Sequence, residues 1–448
     1  MDEKKYAVIG FPIAHTMSPF IHKKLFGLSG VQGCYHSMEI PPDRLRGCLP
    51  KLRSLDGFNI TVPHKRSIIP LLDSVDEKAS MFDSVNTVKN EGGRLTGYTT
   101  DGDGFRRALE AEGTSAAGRI FLLGAGGAAR AIAFEAALQG GSLTVAAREH
   151  SREAARSLCA DVREKVPGAK IESCLFGELS GPCDLLVNAT PVGMYPKTGE
   201  CPVDAGVVRN AGFVFDAVYN PNETVLVRLA KKCGVRACGG MEMLVWQAAA
   251  AQKIWTGASF GTEEITAIGR EASLRMRRQF GNVVLCGFMG SGKTTVGRIV
   301  ARSLRREFID LDEWIEEREG AAVPELFAKY GEKGFREAER KAAEEISLRS
   351  GLVVAAGGGT LLDRENADLF RSIGFIVFLD TDLSVLEKRL EKDRTRPLLQ
   401  TGDRRETIRR LYFERIEKYR AAADESVKAD GSPSETAEAV LGALCGGS

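Results

Sequence analysis

Val283-Val284-Leu285-Cys286-Gly287-Phe288-Met289-Gly290-Ser291-Gly292-Lys293-Thr294 passes from four apolar residues into a glycine-rich turn that ends in a lysine and a hydroxyl. From Gly287 to Thr294 the spacing is G-x-x-x-x-G-K-[ST]. In that pattern backbone N–H groups wrap phosphates, the lysine reaches the β/γ oxygens and the hydroxyl supports Mg²⁺. The stretch predicts a buried strand, a phosphate loop and a helix, and therefore a P-loop α/β domain with a parallel sheet. Gly290, Ser291, Gly292, Lys293, Thr294 and Thr295 are the expected ATP contacts, with Thr294 also a metal ligand.

A second glycine turn lies upstream. Ile120–Leu123 leads into Gly124-Ala125-Gly126-Gly127-Ala128-Ala129, and Ala128–Gln139 and Leu143–Ala146 continue as helix and strand. This is the βαβ pattern of a dinucleotide site. Gly124 permits the bend, Gly126 lets the backbone approach a pyrophosphate and Ala129 allows close helix–strand packing. After the second strand the chain reads Ala147-Arg148-Glu149-His150-Ser151-Arg152. NAD sites place an acid about twenty residues on, to bind the ribose 2′-hydroxyl. Two arginines four apart suit a 2′-phosphate instead, so NADP(H) is favoured, although Glu149 opposes that phosphate. An ordinary solvated helix start is the other reading.

These two turns sit in a chain of 448 residues, long enough for about two or three domains. With 43% hydrophobic and 27% charged residues it has the composition expected of a soluble globular protein. A net charge of +1 supplies no field to recruit nucleic acid or an anionic membrane. The ten cysteines are scattered without a C-x-x-C pair, which suggests reduced thiols. No apolar run is long enough to span a bilayer, and Met1–Tyr6 leads straight into a strand-like Ala7–Ile9. A cytoplasmic location is expected, with small-molecule substrates and neither nucleic acid nor membrane as partner.

The expected organisation is an α/β substrate subdomain over 1–110, joined by returning helices at about 241–272. A Rossmann-like NADP subdomain follows over 111–240. The stretch 273–281 reads as the linker, its basic run as a solvated helix end, and 282–448 as the P-loop domain.

Reduction of a carbonyl needs a proton partner near the oxygen, held by a second polar group. Four polar clusters punctuated by proline or glycine meet that need: Gly10–Pro19, Asn59–Lys65, Ser84–Thr87 and Gly97–Gly102. Each reads as a loop at a strand end, where α/β proteins bind ligands. Taken singly, Lys65 reads as a surface lysine, Asp101 as a helix cap and Asn86 as a turn former.

In their order, these clusters resemble the shikimate dehydrogenase family over nearly all of 1–272. The family pattern G-x-P-x-x-H-S-x-S-P corresponds to Gly10–Pro19, N-x-T-V-P-x-K to Asn59–Lys65 and V-N-T to Val85–Thr87. Gly124–Ala131 matches G-A-G-G-A-A-R-A, Asn188–Met194 matches N-A-T-x-x-G-M, Asp216–Thr224 matches D-x-x-Y-N-P-x-x-T and Met243–Gln247 matches M-L-x-x-Q. The resemblance implies Lys65 and Asp101 as the catalytic pair. It implies Thr16, Ser18, Thr61, Asn86, Tyr219 and Gln247 as further substrate contacts. Gly124, Ala125, Gly126, Gly127, Ala128, Ala147, Arg148, Arg152, Ala217 and Gly240 would contact NADP, with Glu77 a further cofactor candidate. Thr16, Thr99, Ala147 and Glu149 depart from the family pattern.

In the second half, Phe308–Asp310 and Asp312 suggest a strand end from which i and i+2 carboxylates point into one pocket. Acids placed at a helix N-terminus for its dipole are the other reading. Gly357-Gly358-Gly359 after the strand Val353–Ala356 offers bare backbone to a ligand, and Arg336, Arg396 and Arg415 are candidate clamps. Together these features resemble the shikimate kinase family across 282–433. That resemblance implies Asp312 as hydroxyl binder and base, Asp310 in the magnesium shell, and Arg336, Gly358 and Arg415 around the substrate. Arg396 would sit on a lid over ATP, within Glu391–Arg405.

The two resemblances imply one bifunctional enzyme: NADPH-dependent reduction of 3-dehydroshikimate to shikimate, then phosphorylation of shikimate by ATP and Mg²⁺. One alternative is an NAD-using quinate/shikimate dehydrogenase. Another makes the P-loop half a regulatory or inactive nucleotide-binding module.

Overall fold

The computed structural model describes residues 3–13, 16–391, 399 and 403–446. It divides into two compact units, Met1–Gly193 with Cys201–Ser273, and Met194–Glu200 with Leu274–Ser448.

The first unit holds two sheets. One contains β1 (Lys4–Gly10), β2 (Gly33–Glu39), β3 (Gly57–Ile60), β4 (Ser74–Val75), β5 (Thr87–Glu91) and β6 (Arg94–Tyr98), in the order β2-β1-β3-β5-β6-β4. Tyr6–Ile9 and all of β3 are buried, as expected of interior strands covered on both faces. The register of this sheet gathers the polar clusters. β3 and β6 both run antiparallel to β5, with Asn59 opposite Thr87 and Thr87 opposite Tyr98. The start of β5 therefore lies beside the ends of β3 and β6, and β1 runs parallel to β3. All four clusters emerge at one end of the sheet.

The second sheet is wholly parallel: β7 (Arg119–Leu123), β8 (Ser142–Ala147), β9 (Lys170–Leu175), β10 (Cys183–Asn188), β11 (Ala211–Asp216) and β12 (Arg236–Cys238). Their order, β12-β11-β10-β7-β8-β9, reverses direction between β7 and β10. That is the topological switch point where a doubly wound sheet binds its nucleotide, and the Gly124 turn leaves β7 there. The helix Met241–Thr256 returns to pack on the helix Asp101–Ala111. Their close approach requires Gly104, because a Cβ there would lie 2.6 Å from the Met243 carbonyl oxygen and 2.9 Å from the Gln247 Cβ.

The second unit has a parallel sheet of β13 (Asn282–Cys286), β14 (Glu307–Asp310), β15 (Leu352–Ala355), β16 (Gly374–Asp380) and β17 (Glu425–Lys428), ordered β14-β15-β13-β16-β17. Central β13 is fully buried and is again a switch point, with β15 on one side and β16 on the other. Apolar clusters cover both faces, one including Val284, Phe335 and Phe378, the other Val283, Val300 and Phe375.

Two sequence expectations need correction. Residues 273–280 are not a separate linker but the last turns of the helix Thr262–Phe280, and that helix end is not simply solvated. Ile265, Ile268, Ala272, Met276 and Phe280 recur at helical spacing and are buried. Arg277 and Arg278 pair with Asp424 and Glu425, each at 2.9 Å, so this basic run is docked. In addition, Asp310 and Asp312 do not share a strand: Asp310 ends β14 and caps the helix Leu311–Glu319, which carries Asp312.

Within the Asn188–Met194 segment the chain passes into Met194–Glu200, which clusters with the second unit. Tyr195 there lies 5.7 Å from the Phe280 ring, and Ser350 donates to the Pro196 carbonyl at 2.6 Å. Among the described residues no helix is long and apolar enough to cross a membrane.

Candidate active sites

The first site is a cavity of about 310 Å³ at the gathered strand ends. Thr16, Ser18, Thr61, Lys65, Asn86, Asp101, Tyr219 and Gln247 all line it, joined by Ala128, Ala217 and Gly240 from the nucleotide side. Lys65 Nζ is 2.5 Å from Asp101 Oδ2, and both side chains are largely buried. The other carboxylate oxygen, Oδ1, accepts from Asn86 Nδ2 at 2.8 Å. Asn86 is fixed in turn: its Oδ1 accepts the Thr100 N–H at 2.8 Å, and its Nδ2 also reaches Thr100 Oγ1 and, at 3.4 Å, Gln247 Oε1. The amide of Asn86 therefore sets the plane of the carboxylate that holds the lysine. Thr16 donates to Ser18 Oγ at 3.1 Å, so the threonine supplies a hydroxyl at this mouth.

Asp216, at the end of β11, ties down the loop that carries Ala217 and Tyr219. It accepts from Thr224 Oγ1 at 2.6 Å, Asn188 Nδ2 at 2.9 Å and the Val218 N–H at 3.0 Å. Burial pushes its carboxyl up to about 6, against the lowering effect of those three bonds. Sequence reading gave Asp216 only a place in a motif.

The glycine turn fits a dinucleotide. Gly124 has φ +103°, and a Cβ added at Gly126 or Gly127 would meet nothing within 4 Å, which leaves bare backbone facing open space at the helix Gly127–Leu138. Ala147 is buried at the end of β8, while Arg148 is exposed beyond it. Arg152 is half-exposed and pairs with Glu149 at 3.2 Å, so the arginines do not converge on an empty cleft: one already holds the acid between them. Glu77 lies exposed in the first turn of the helix Glu77–Phe82 and does not line the cavity.

The second site is a cavity of about 290 Å³. Gly290, Gly292, Lys293, Thr294, Thr295, Asp310, Asp312, Arg336, Gly358 and Arg415 line it. Ser291 does not; it is buried beneath the loop. Arg396 lies outside the described residues. Lys293 Nζ contacts the Gly287 and Phe288 carbonyls at 2.9 and 3.1 Å. Thr294 donates to Asp310 Oδ2 at 2.6 Å, which puts one hydroxyl and one carboxylate side by side. That donor pair suits Mg²⁺, which is bound by few protein ligands and completes its shell with water and phosphate oxygens.

Two residues unassigned from sequence organise this pocket. Glu339, 1% exposed, takes Arg336 Nη1 at 2.5 Å and Thr360 Oγ1 at 2.6 Å. Burial works against the Arg336 charge, yet Glu339 and Glu332 hold its pKa above the ordinary value. The signal was present, since Glu339 follows Arg336 by three residues on a helix. Tyr419 donates to the Gly358 carbonyl and so orders the triple-glycine turn.

A dinucleotide cleft beside a buried lysine–carboxylate pair defines a carbonyl oxidoreductase, and a P-loop beside two acids and two arginines defines a small-molecule kinase. The family model described as shikimate dehydrogenase substrate binding domain matches residues 8–88, and that described as shikimate kinase matches 289–445. Shikimate dehydrogenase (NADP(+)) of Caldanaerobacter subterraneus subsp. tengcongensis is 40% identical over 263 residues, covering 57% of this chain and 93% of the relative. The enzyme of the same description from Methanocaldococcus jannaschii is 40% identical over 262 residues, covering 57% and 92%. A crystal structure of shikimate 5-dehydrogenase from Thermus thermophilus, in complex with NADP(H) and shikimate, aligns with TM-score 0.55 and 33% identity, covering 60% of this chain and 99% of that one. The chain belongs to the shikimate dehydrogenase family and carries a shikimate kinase domain after it, two enzyme domains in one polypeptide.

Proposed function

We propose that this enzyme reduces 3-dehydroshikimate to shikimate with NADPH and then transfers the ATP γ-phosphoryl to the oxygen just reduced. The observation that carries the reading is the held pair Lys65–Asp101 in a pocket lined by hydroxyl and amide groups.

Gly124–Ala128 would hold NADPH, with Ala217 and Gly240 at its nicotinamide end, and the bound cofactor would supply the hydride for the ketone carbon. Lys65 donates a proton from Nζ to the carbonyl oxygen as that oxygen becomes an alkoxide, giving the alcohol. Asp101 aims Nζ and accepts a substrate hydroxyl, while Asn86 keeps Asp101 from rotating. Thr16, Ser18, Thr61, Tyr219 and Gln247 hold the carboxylate and the remaining hydroxyls. General-acid assistance of this kind contributes about 10²–10⁴-fold.

In the second pocket ATP would supply the phosphoryl group, and Mg²⁺, held by Thr294 and Asp310, would neutralise charge on its phosphates. Asp312 accepts the hydroxyl proton as the substrate oxygen attacks. Arg336 and Arg415 hold the carboxylate, and Gly358 lets the backbone approach the ring. Thr294 and Asp310 position the ion, and Lys293 turns from its loop carbonyls to the phosphate oxygens.

Both reactions converge on one carbon–oxygen bond. With NADPH deuterated on its transferred face, ATP, Mg²⁺ and 3-dehydroshikimate, the product should carry deuterium on C3 and phosphorus on the oxygen of C3, read by NMR. Phosphorus on any other oxygen contradicts the kinase assignment, and deuterium elsewhere contradicts the reductase assignment. The NAD-using alternative is decided by cofactor preference. Arg148→Ala with Arg152→Ala should cut the NADP-over-NAD ratio of kcat/KM by about tenfold, the value of roughly one charge-assisted contact.

A further inference from the structure

A third cavity, of about 270 Å³, lies along the helices Asp101–Ala111 and Met241–Thr256 and shares no lining residue with the two pockets above. Thr100, Arg106, Arg107, Trp246, Ala250 and Lys253 line it, with Ile254 and Phe260 as apolar wall. One carboxylate, Asp103, also lines the cavity, held by Lys78 at 2.9 Å and approached by Arg106 at 3.8 Å. The cations are not equal. Arg106 is taken by Glu110 at 2.6 Å and Glu135 at 3.4 Å. Arg107 has only a loose approach to Glu110, at 3.8 Å, and its guanidinium lies 5.4 Å over the Trp246 ring. Lys253 is exposed, and its side chain makes no hydrogen bond or ion pair among the described residues. An apolar, aromatic wall is thus bordered by two positive charges without a close counter-charge.

The complement of that surface is a flat apolar body bearing one anion. Arg107 offers a planar fork to a carboxylate and Lys253 a second donor, while Trp246 and Ile254 cover a ring. Thr100, at the cavity wall, holds both ends of the Asn86 amide, and Asn86 holds Asp101. A ligand here touches the residue that supports the lysine–carboxylate pair from behind.

We propose that this cavity binds a planar aromatic monocarboxylate, its ring against Trp246 and Ile254 and its carboxylate between Arg107 and Lys253. Occupancy alters the reductase rate through Thr100 and Asn86; this clause rests on the catalytic reading of Lys65 and Asp101, whereas binding itself does not.

The test is calorimetric titration of the full chain with phenylacetate, in saturating shikimate and NADP⁺ so that the substrate pockets are filled. Saturable binding to one site is expected, at least about tenfold weaker for Arg107→Ala with Lys253→Ala, since each charge-assisted bond lost exceeds that factor. Ala250→Trp, which fills the cavity by another means, should abolish it, and neutral phenylacetamide should bind at least as weakly as phenylacetate binds the double variant. Reductase kcat should change on occupancy at constant shikimate KM, with phosphorylation unaltered. No binding in wild type, or equal binding in both variants, overturns the site. Binding without a change in kcat overturns the coupling. Full reduction by Lys65→Ala would overturn the catalytic reading alone, leaving the calorimetric result standing.

Discussion

The two pockets, for which we propose one shared small acid, are lined by opposite means. In the first, Ser18, Thr61, Asn86, Tyr219 and Gln247 are uncharged, and the single ion pair, Lys65 with Asp101, is closed on itself. In the second, Lys293, Arg336 and Arg415 face Asp310, Asp312 and Glu339. Neutral donors and acceptors recognise a pattern of hydroxyls through geometry, whereas guanidinium groups recognise a carboxylate through charge. The difference follows from the chemistry beside each substrate. A hydride acceptor needs a proton source insulated from water, while a phosphoryl acceptor lies next to polyphosphate, where fixed cations are required in any case.

The comparison breaks most sharply if the pockets are not independent. Lys65→Ala should lower reduction by about 10³-fold and leave phosphorylation within about twofold; Asp312→Ala should do the reverse. Steady-state assays of both activities on each variant check this, and loss of both in either variant contradicts it. The next effect sharpens the role of charge. Glu339→Ala frees Arg336 from its buried partner and should raise the shikimate KM of the kinase by about tenfold, with kcat changed much less and reduction unaffected, because a hydrogen bond to a charged group contributes about 1.5–3 kcal/mol. A fall in kcat at constant KM would place Glu339 in the chemical step instead.

Smaller still is the response to salt. Raising ionic strength from about 0.05 to about 0.5 M shortens the screening length severalfold. The kinase KM for shikimate should rise about two- to threefold while the reductase KM for shikimate barely moves. Equal sensitivity would remove the distinction drawn here.

The last prediction concerns pH and Asp216. Its carboxyl titrates near 6 when folded and near the ordinary carboxylate value when unfolded. Between those values the folded state binds the extra proton, so this group favours folding below its unfolded pKa and loses that contribution as pH rises through about 6. Relative to Asp216→Asn, wild type should lose about 2 kcal/mol of unfolding free energy between pH 4 and pH 7, measured by denaturant titration. A difference independent of pH would show that the carboxyl is not buried as described.

Much of the fold was legible because both nucleotide turns follow apolar strands, and the returning helices expected at about 241–272 begin with Met241–Thr256. The β5–β6 hairpin went unread although Gly92-Gly93 marked it, with φ of 61° and 91° in a two-residue turn. The basic run at 275–281 could be read as a helix end but not as a docked one, because Asp424 and Glu425 meet Arg277 and Arg278 only in the fold. At the sites, Lys65, Asp101, Asp310 and Asp312 carry motif spacing, and the structure brings each of them to a cavity wall. Glu339, Thr100 and Asp216 act through other side chains: the three-residue spacing to Arg336 hinted at Glu339, but Thr360, Asn86 and Asn188 reach Glu339, Thr100 and Asp216 only in the fold. The Asp310–Asp312 pair was found for the wrong reason: a strand-to-helix turn, not strand alternation, brings both acids to one cavity.

The central claim, that both activities act in succession on one molecule, is tested most directly by a single coupled assay. Purified chain is given limiting 3-dehydroshikimate with excess NADPH, ATP and Mg²⁺, and NADPH consumption and ADP release are followed together. One NADPH and then one ADP per molecule of substrate are expected, with ADP release in Lys65→Ala restored by added shikimate. ADP release that ignores shikimate, or NADPH oxidation never followed by ADP, would contradict the account.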